Sequence, residues 1–233
     1  MQNVPAFVSV VFMVTTFVTV GIFLFGVRSI RPNSFWQKLL LFLTPFCLLF
    51  QFIAASDGFY LNTGSFPPRL FLFGLAPSLL VIVLVFLFAR DNVLTPFSLT
   101  ILTVIHIIRI PVELTLAWLA DAGVVPNIMT FHGNNLDILS GLTAPIALYF
   151  AFRPSAAGRY ILIFWNLAAL ALLFNIVIIA LLSLPSPMQR IAFEQPNIAI
   201  LYFPYIWLPT AIVPIVLFSH LAVLYKLAFK RGI

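Results

Sequence analysis

The sequence predicts an all-α integral membrane protein: a seven-transmembrane-helix bundle with its N-terminus outside and its C-terminus in the cytoplasm. Three observations carry that expectation. Of the 233 residues, 63% are hydrophobic and only 8% are charged, against about 25% charged in an average soluble domain. Seven apolar stretches come near the roughly 20 residues that a membrane span needs. The basic residues between those stretches are distributed very unevenly.

A chain this poor in charge cannot cover a water-facing surface, so lipid is its main solvent and the bilayer its expected partner. The 26 Phe residues fit, since large apolar side chains lose nothing by facing acyl chains. The net charge of +6 does not indicate nucleic acid, because the basic residues sit at the ends of apolar runs, where headgroups lie. The single cysteine, Cys47, excludes an intrachain disulfide. The first apolar run reads as a retained helix and not as a signal peptide, since no Lys or Arg precedes it and Arg28 and Arg31 follow it.

The seven stretches run from Ala6 to Val27, Leu39 to Ser56, Leu70 to Ala89, Pro96 to Leu119, Leu136 to Phe152, Tyr160 to Leu184, and Ile198 to Tyr225. The fifth is the shortest, and Asp137 and Gly141 weaken its start. The connections are short and rich in turn residues, as in RSIRPNS and DGFYLNTGSFPPR, so residues 1–233 read as a single polytopic membrane domain. Arg28, Arg31, Lys38, Arg90, Arg153, Arg159, Lys226, Lys230 and Arg231 flank one side. Only Arg69 and Arg190 flank the other. Nine against two assigns the first group to the cytoplasm, and a bacterial plasma (inner) membrane is the expected location.

The twelfth basic residue, Arg109, lies inside the fourth stretch with His106 and Glu113. Spacings of three and four put the three within about 60° of one another on a helix. Arg at mid-span costs about 2.5–3.5 kcal/mol on insertion scales. The stripe is therefore expected to face the bundle interior, with Arg109 and Glu113 paired or solvated by a cavity. Pro111 lacks an N–H, which frees the carbonyl of Ile107 one turn from Arg109. The plain structural alternative is a buried ion pair that locks packing, a weak source of stability.

Further polar residues fall in the outer half of the membrane. The expected cavity opens outward and is lined by Arg109, Glu113, Asp137, Asn175 and Gln51, with His106 on the same stripe and His132 in the run TFHGNNLD above it. Each has a plainer reading. Asn134 or Asn135 caps helix five, with Asp137 in its first turn. Asn175 and Gln51 bond across helices, and His132 is a solvated loop residue. The apolar run VVPNIMTF is expected to lie flat in the outer interface, the alternative being a lid that dips back over the cavity. The aromatics Tyr202, Phe203, Tyr205 and Trp207 read as an interfacial belt, the alternative being a cavity wall. His220 reads as a residue near the cytoplasmic headgroups.

Three function classes follow. The first is binding or transport of a small anionic ligand, because the guanidinium fork matches a carboxylate or phosphate. The second is an intramembrane enzyme acting on a lipid or quinone-like substrate, with His106 and Glu113 as acid–base groups and Arg109 stabilising an oxyanion. No hydrolase or zinc-protease motif supports it. The third is a haem or metal protein. Haem would need a second axial His beside His106, and His220 is expected at the wrong depth; a metal would draw on His106 and Glu113 with Asp137 or His132, at spacings that are not diagnostic. Retinal requires a mid-helix Lys, whereas Lys226 sits at a helix end. The seven-helix count is only an analogy of topology with G-protein-coupled receptors. The expectation is a ligand-binding protein without cofactor or metal.

Overall fold

The computed structural model describes residues 1, 3–153 and 155–229. Lys230 and Arg231, two of the nine basic residues above, lie outside them. All regular structure among the described residues is helical. Six helices are long and apolar enough to cross a membrane: α1 (Ala6–Val27), α2 (Phe35–Ser56), α3 (Leu70–Phe88), α4 (Leu99–Asp121), α6 (Ala156–Leu182) and α7 (Leu208–Phe229). Between α4 and α6 lies α5 (Ile138–Phe152), only 15 residues long.

Serine caps start α2, α4 and α6. Ser34 accepts from Gln37 N, Ser98 from Thr100 N and Ser155 from Gly158 N, filling donors that a helix start leaves open. Within the spans, hydroxyls donate to carbonyls one turn back: Thr16 to Phe12, Thr103 to Leu99 and Ser219 to Ile215. Small polar residues thus sit in apolar helices without an unpaired donor.

The helices α4 and α7 form the centre, with 61% of each apolar window buried against 22% for α2. Along the whole of α4 packs α5. The start of α1 meets the end of α4 (Phe7 on Trp118), and the stretch leading into α7 lies beside α1 through Ser9 and Tyr205. One end of the bundle is closed by the 57–69, 122–137 and 183–207 connections, here called the roof.

Two segments depart from the expected layout. The last helix starts at Leu208 and not at Ile198, because residues 199–207 fold as a short 3-10 turn and an irregular stretch packed inside the bundle. Tyr205 and Trp207 are buried there. Tyr205 hydrogen-bonds Ser9 at 2.9 Å, and Trp207 donates to Leu48 O at 3.0 Å. They fill the core and not an interfacial belt, although Tyr202 and Phe203 stay half-buried. Likewise the VVPNIMTF run does not lie flat at the surface. Val124, Val125 and Met129 are buried, and Val124 O accepts from both Ile198 N and Ala199 N at 3.1 Å. The two apolar connections cover each other, so neither needs lipid.

Candidate functional site

Arg109 is the eleventh residue of the 23 in α4 and is 2% exposed. Just before it, residues Ile105–Ile108 tighten into a 3-10 turn. Its Nε lies 3.2 Å from Asp137 Oδ2, and its Nη1 donates to Ala169 O on α6 at 3.3 Å. Its Nη2 is buried without a hydrogen-bond partner. The expected partner, Glu113, is not the one within ion-pair distance. Glu113 Oε2 instead accepts from Asn135 Nδ2 at 2.7 Å. The reason lies in the 122–137 connection, which folds inward and delivers Asn135 and Asp137 to the face of α4. Asn135 is fully buried; it also donates to Met129 O and accepts from Asp137 N. It therefore braces the connection and does not cap α5.

Gly141 makes this meeting of helices feasible. A methyl group built on it would lie 2.8 Å from Ile110 Cγ1, 3.0 Å from Ile110 N and 3.3 Å from Arg109 Cβ. The glycine that weakens α5 as an apolar run is what lets α5 press against α4, with Asp137 one turn away.

Arg109, Glu113 and Asp137 line a cavity of about 1080 Å³ of empty space, counting its open mouth. It lies between α3, α4, α6 and α7, and Met129, Leu184 and Ile200 line it from the roof connections. Every other lining side chain is apolar. The expected polar cavity is thus an apolar one with a single ionic end.

Four expected residues do not line it. Asn175 is exposed and donates to Asn134 O at 2.9 Å. His132 is exposed against Phe131. Gln51 is buried on α2, where it donates to Phe73 O at 2.9 Å and accepts from the Tyr60 hydroxyl. His106 belongs to a separate layer. Its ring stacks on His220, with centroids 3.9 Å apart and planes 25° apart, and meets Trp165 edge-on at 5.3 Å.

His220 is fully buried inside the bundle, stacked on His106. Its Nδ1 lies 2.8 Å from Asn166 Oδ1, while Asn166 Nδ2 donates to Leu162 O. With the amide turned that way, Nδ1 of His220 carries the hydrogen and Nε2 presents a lone pair. Both nitrogens of His106 and Nε2 of His220 lack partners. Nearly parallel rings hold their lone pairs in nearly parallel planes, which do not converge on one ion. Among the described residues no group of three or more His, Cys, Asp or Glu could hold a metal.

Sequence reading missed Asn166 and Trp165, and gave Asn135 and His220 other roles. The available signal was an Asn and a His, Asn166 and His220, each in the interior of a long, mostly apolar helix. No family model, no curated protein and no solved structure matches this chain.

Proposed function

We propose that this chain is a membrane protein that binds or transports a small amphipathic molecule, with the head at Arg109 and the apolar body in the cavity. One observation carries the reading: a guanidinium whose Nη2 has no acceptor stands at the ionic end of an otherwise apolar cavity. A buried donor left unfilled costs about 1–3 kcal/mol, and a ligand oxygen removes that cost. Arginine by itself suits an anion. Here Asp137 already faces the guanidinium, and Glu113 adds a second carboxyl to the same cavity. That arrangement favours a head that accepts a hydrogen bond without a full negative charge.

The same proposal includes seven spans, with the roof facing outward, in the plasma membrane of a bacterium. The charge count supports the orientation, since only Arg69 and Arg190 belong to the roof connections. Support for the seventh span is the packing of α5 along α4, although 15 residues reach only about 22 Å of a core about 30 Å thick. A membrane-impermeant maleimide tests the orientation in a Cys47→Ser background. Gly64→Cys reacts in intact cells and Ala157→Cys only after lysis; the reverse pattern refutes it.

Native mass spectrometry of protein purified in mild detergent tests the binding. Wild type is expected to carry an adduct of defined mass, and Arg109→Met/Asp137→Leu, which removes both charges together, to lose it. No adduct on wild type, or equal occupancy in the double variant, overturns the reading.

A further inference from the structure

We infer that the cavity is loaded sideways from the bilayer, through a mouth between α3 and α6, and that its ligand is a long-chain lipid with an uncharged, oxygen-bearing head. The inference rests on the binding reading above and names its ligand class.

The roof connections cover most of their end of the cavity. Of the apolar roof residues that line the cavity, Pro68 is buried, Met129, Leu184 and Ile200 are 1%, 2% and 5% exposed, and Met188 alone is exposed, at 37%. The connections that carry Met129, Leu184 and Ile200 are tied together by backbone bonds from Ile198 and Ala199 to Val124, and from Asn197 N to Ser183 O at 2.9 Å. Gln195 adds a bond from Nε2 to Ala120 O at 2.9 Å.

The side of the cavity is different. On α7, Leu208, Pro209 and Val213 line it and are only half-buried. To one side stands Phe71 of α3, an exposed lining residue, and to the other Val177 and Leu181 of α6, half-buried. All belong to spans, so this opening faces acyl chains. Behind the rim the cavity continues to Leu173 and Val216, 4% and 2% exposed, and ends on Arg109, Glu113 and Asp137.

The chemistry of the rim selects the head. Every side chain just named at the mouth is apolar, so a head must cross it without a polar partner. A full charge pays heavily for that passage, whereas a neutral hydroxyl, ester or carbonyl group costs far less. Such an oxygen accepts from Arg109 Nη2, while the chain stays in surroundings as apolar as the bilayer.

The test uses the full chain in phosphatidylcholine nanodiscs, each batch holding a trace of one photoreactive probe with a diazirine in its chain. The probes are a monoacylglycerol, a fatty acid and a plain long-chain hydrocarbon. Crosslinks are mapped by peptide mass spectrometry. Monoacylglycerol is expected to label Leu173 and Val216, at least fivefold above the other two probes. Val177→Trp and Val213→Trp, which narrow the mouth from α6 and from α7, are each expected to reduce that labelling tenfold. Labelling of Phe174, exposed on the outer face of α6 at 49%, stays unchanged and reports an intact fold.

Labels confined to exposed residues, or buried labels unaffected by either tryptophan, overturn lateral loading. Preference for the fatty acid overturns the uncharged head. A water-soluble adduct found by mass spectrometry, together with no buried lipid label, leaves the binding reading standing and removes this one. Equal labelling by hydrocarbon and monoacylglycerol, unchanged in Arg109→Met, instead removes the role of Arg109 as head contact and so counts against the binding reading.

Discussion

Asp137 is the residue whose removal tests the site most directly. Its carboxylate lies 3.2 Å from Arg109 Nε, with the two side chains 3% and 6% exposed. At an effective dielectric near 20, the attraction at that distance is about 5 kcal/mol before desolvation is counted. Desolvation offsets most of it in a net balance, but removing one partner leaves the other charge buried and uncompensated, at about 3–5 kcal/mol. Glu113 lines the same cavity one turn along α4 and compensates in part, so Asp137→Ala is expected to cost about 3 kcal/mol, the low end of that range. Asp137 makes no side-chain cap to α5, and Asp137→Asn keeps its shape, so the loss in that variant reports charge. Arg109→Met/Asp137→Leu removes both charges and is expected to recover most of the stability. Reversible unfolding in mixed detergent micelles measures all four proteins. A loss below about 1 kcal/mol in Asp137→Asn, without recovery in the double variant, refutes the view that this pair anchors α5 to α4.

Three more outcomes are expected. Gly141→Ala forces a methyl group to 2.8 Å from Ile110 Cγ1 and 3.0 Å from its backbone N, so the same unfolding assay is expected to show a loss of about 1–3 kcal/mol, and wild-type stability would contradict the close approach. His220→Phe keeps a ring over His106 but leaves Asn166 Oδ1 without its donor; the expected loss is about 1–3 kcal/mol, and Asn166→Leu added to it restores part of the loss. The phenol of Tyr60, in the connection after α2, is pushed up to about 12 by burial. A raised folded value means that this contribution to stability is complete below the ordinary value near 10 and is lost as pH rises toward 12. Unfolding followed from pH 9 to 12 is therefore expected to fall less steeply in Tyr60→Phe; identical slopes would remove Tyr60 as the cause.

Much of the site was legible along one helix and little of it across helices. Arg109 and Glu113 stood out because each is costly inside a long apolar run. Asp137 was also visible, but as a flaw in the shortest run and not as the partner of Arg109. Asn135 looked like a cap because caps are its usual place beside a helix start. Its two bonds to Glu113 and Met129 depend on an inward fold of the 122–137 connection that no periodicity encodes. The stacking of His106 on His220 joins residues 114 positions apart, and helical spacing speaks only to neighbours within a few turns.

By itself the sequence determined the solvent of this protein and the form its chain must take in it. With 8% charge and long apolar runs, the backbone must satisfy its own hydrogen bonds, and helices do so locally. It also determined that something must compensate Arg109, because a lone guanidinium at mid-span is too costly to leave exposed to lipid. Only the tertiary structure decided what compensates it, since ion pairs form between whichever groups packing brings together. Gly141 admits α5 to α4, and the inward connection delivers Asp137. The fourth-helix stripe is thereby split in two: Arg109 and Glu113 at the end of an apolar cavity, and His106 in a sealed layer with His220.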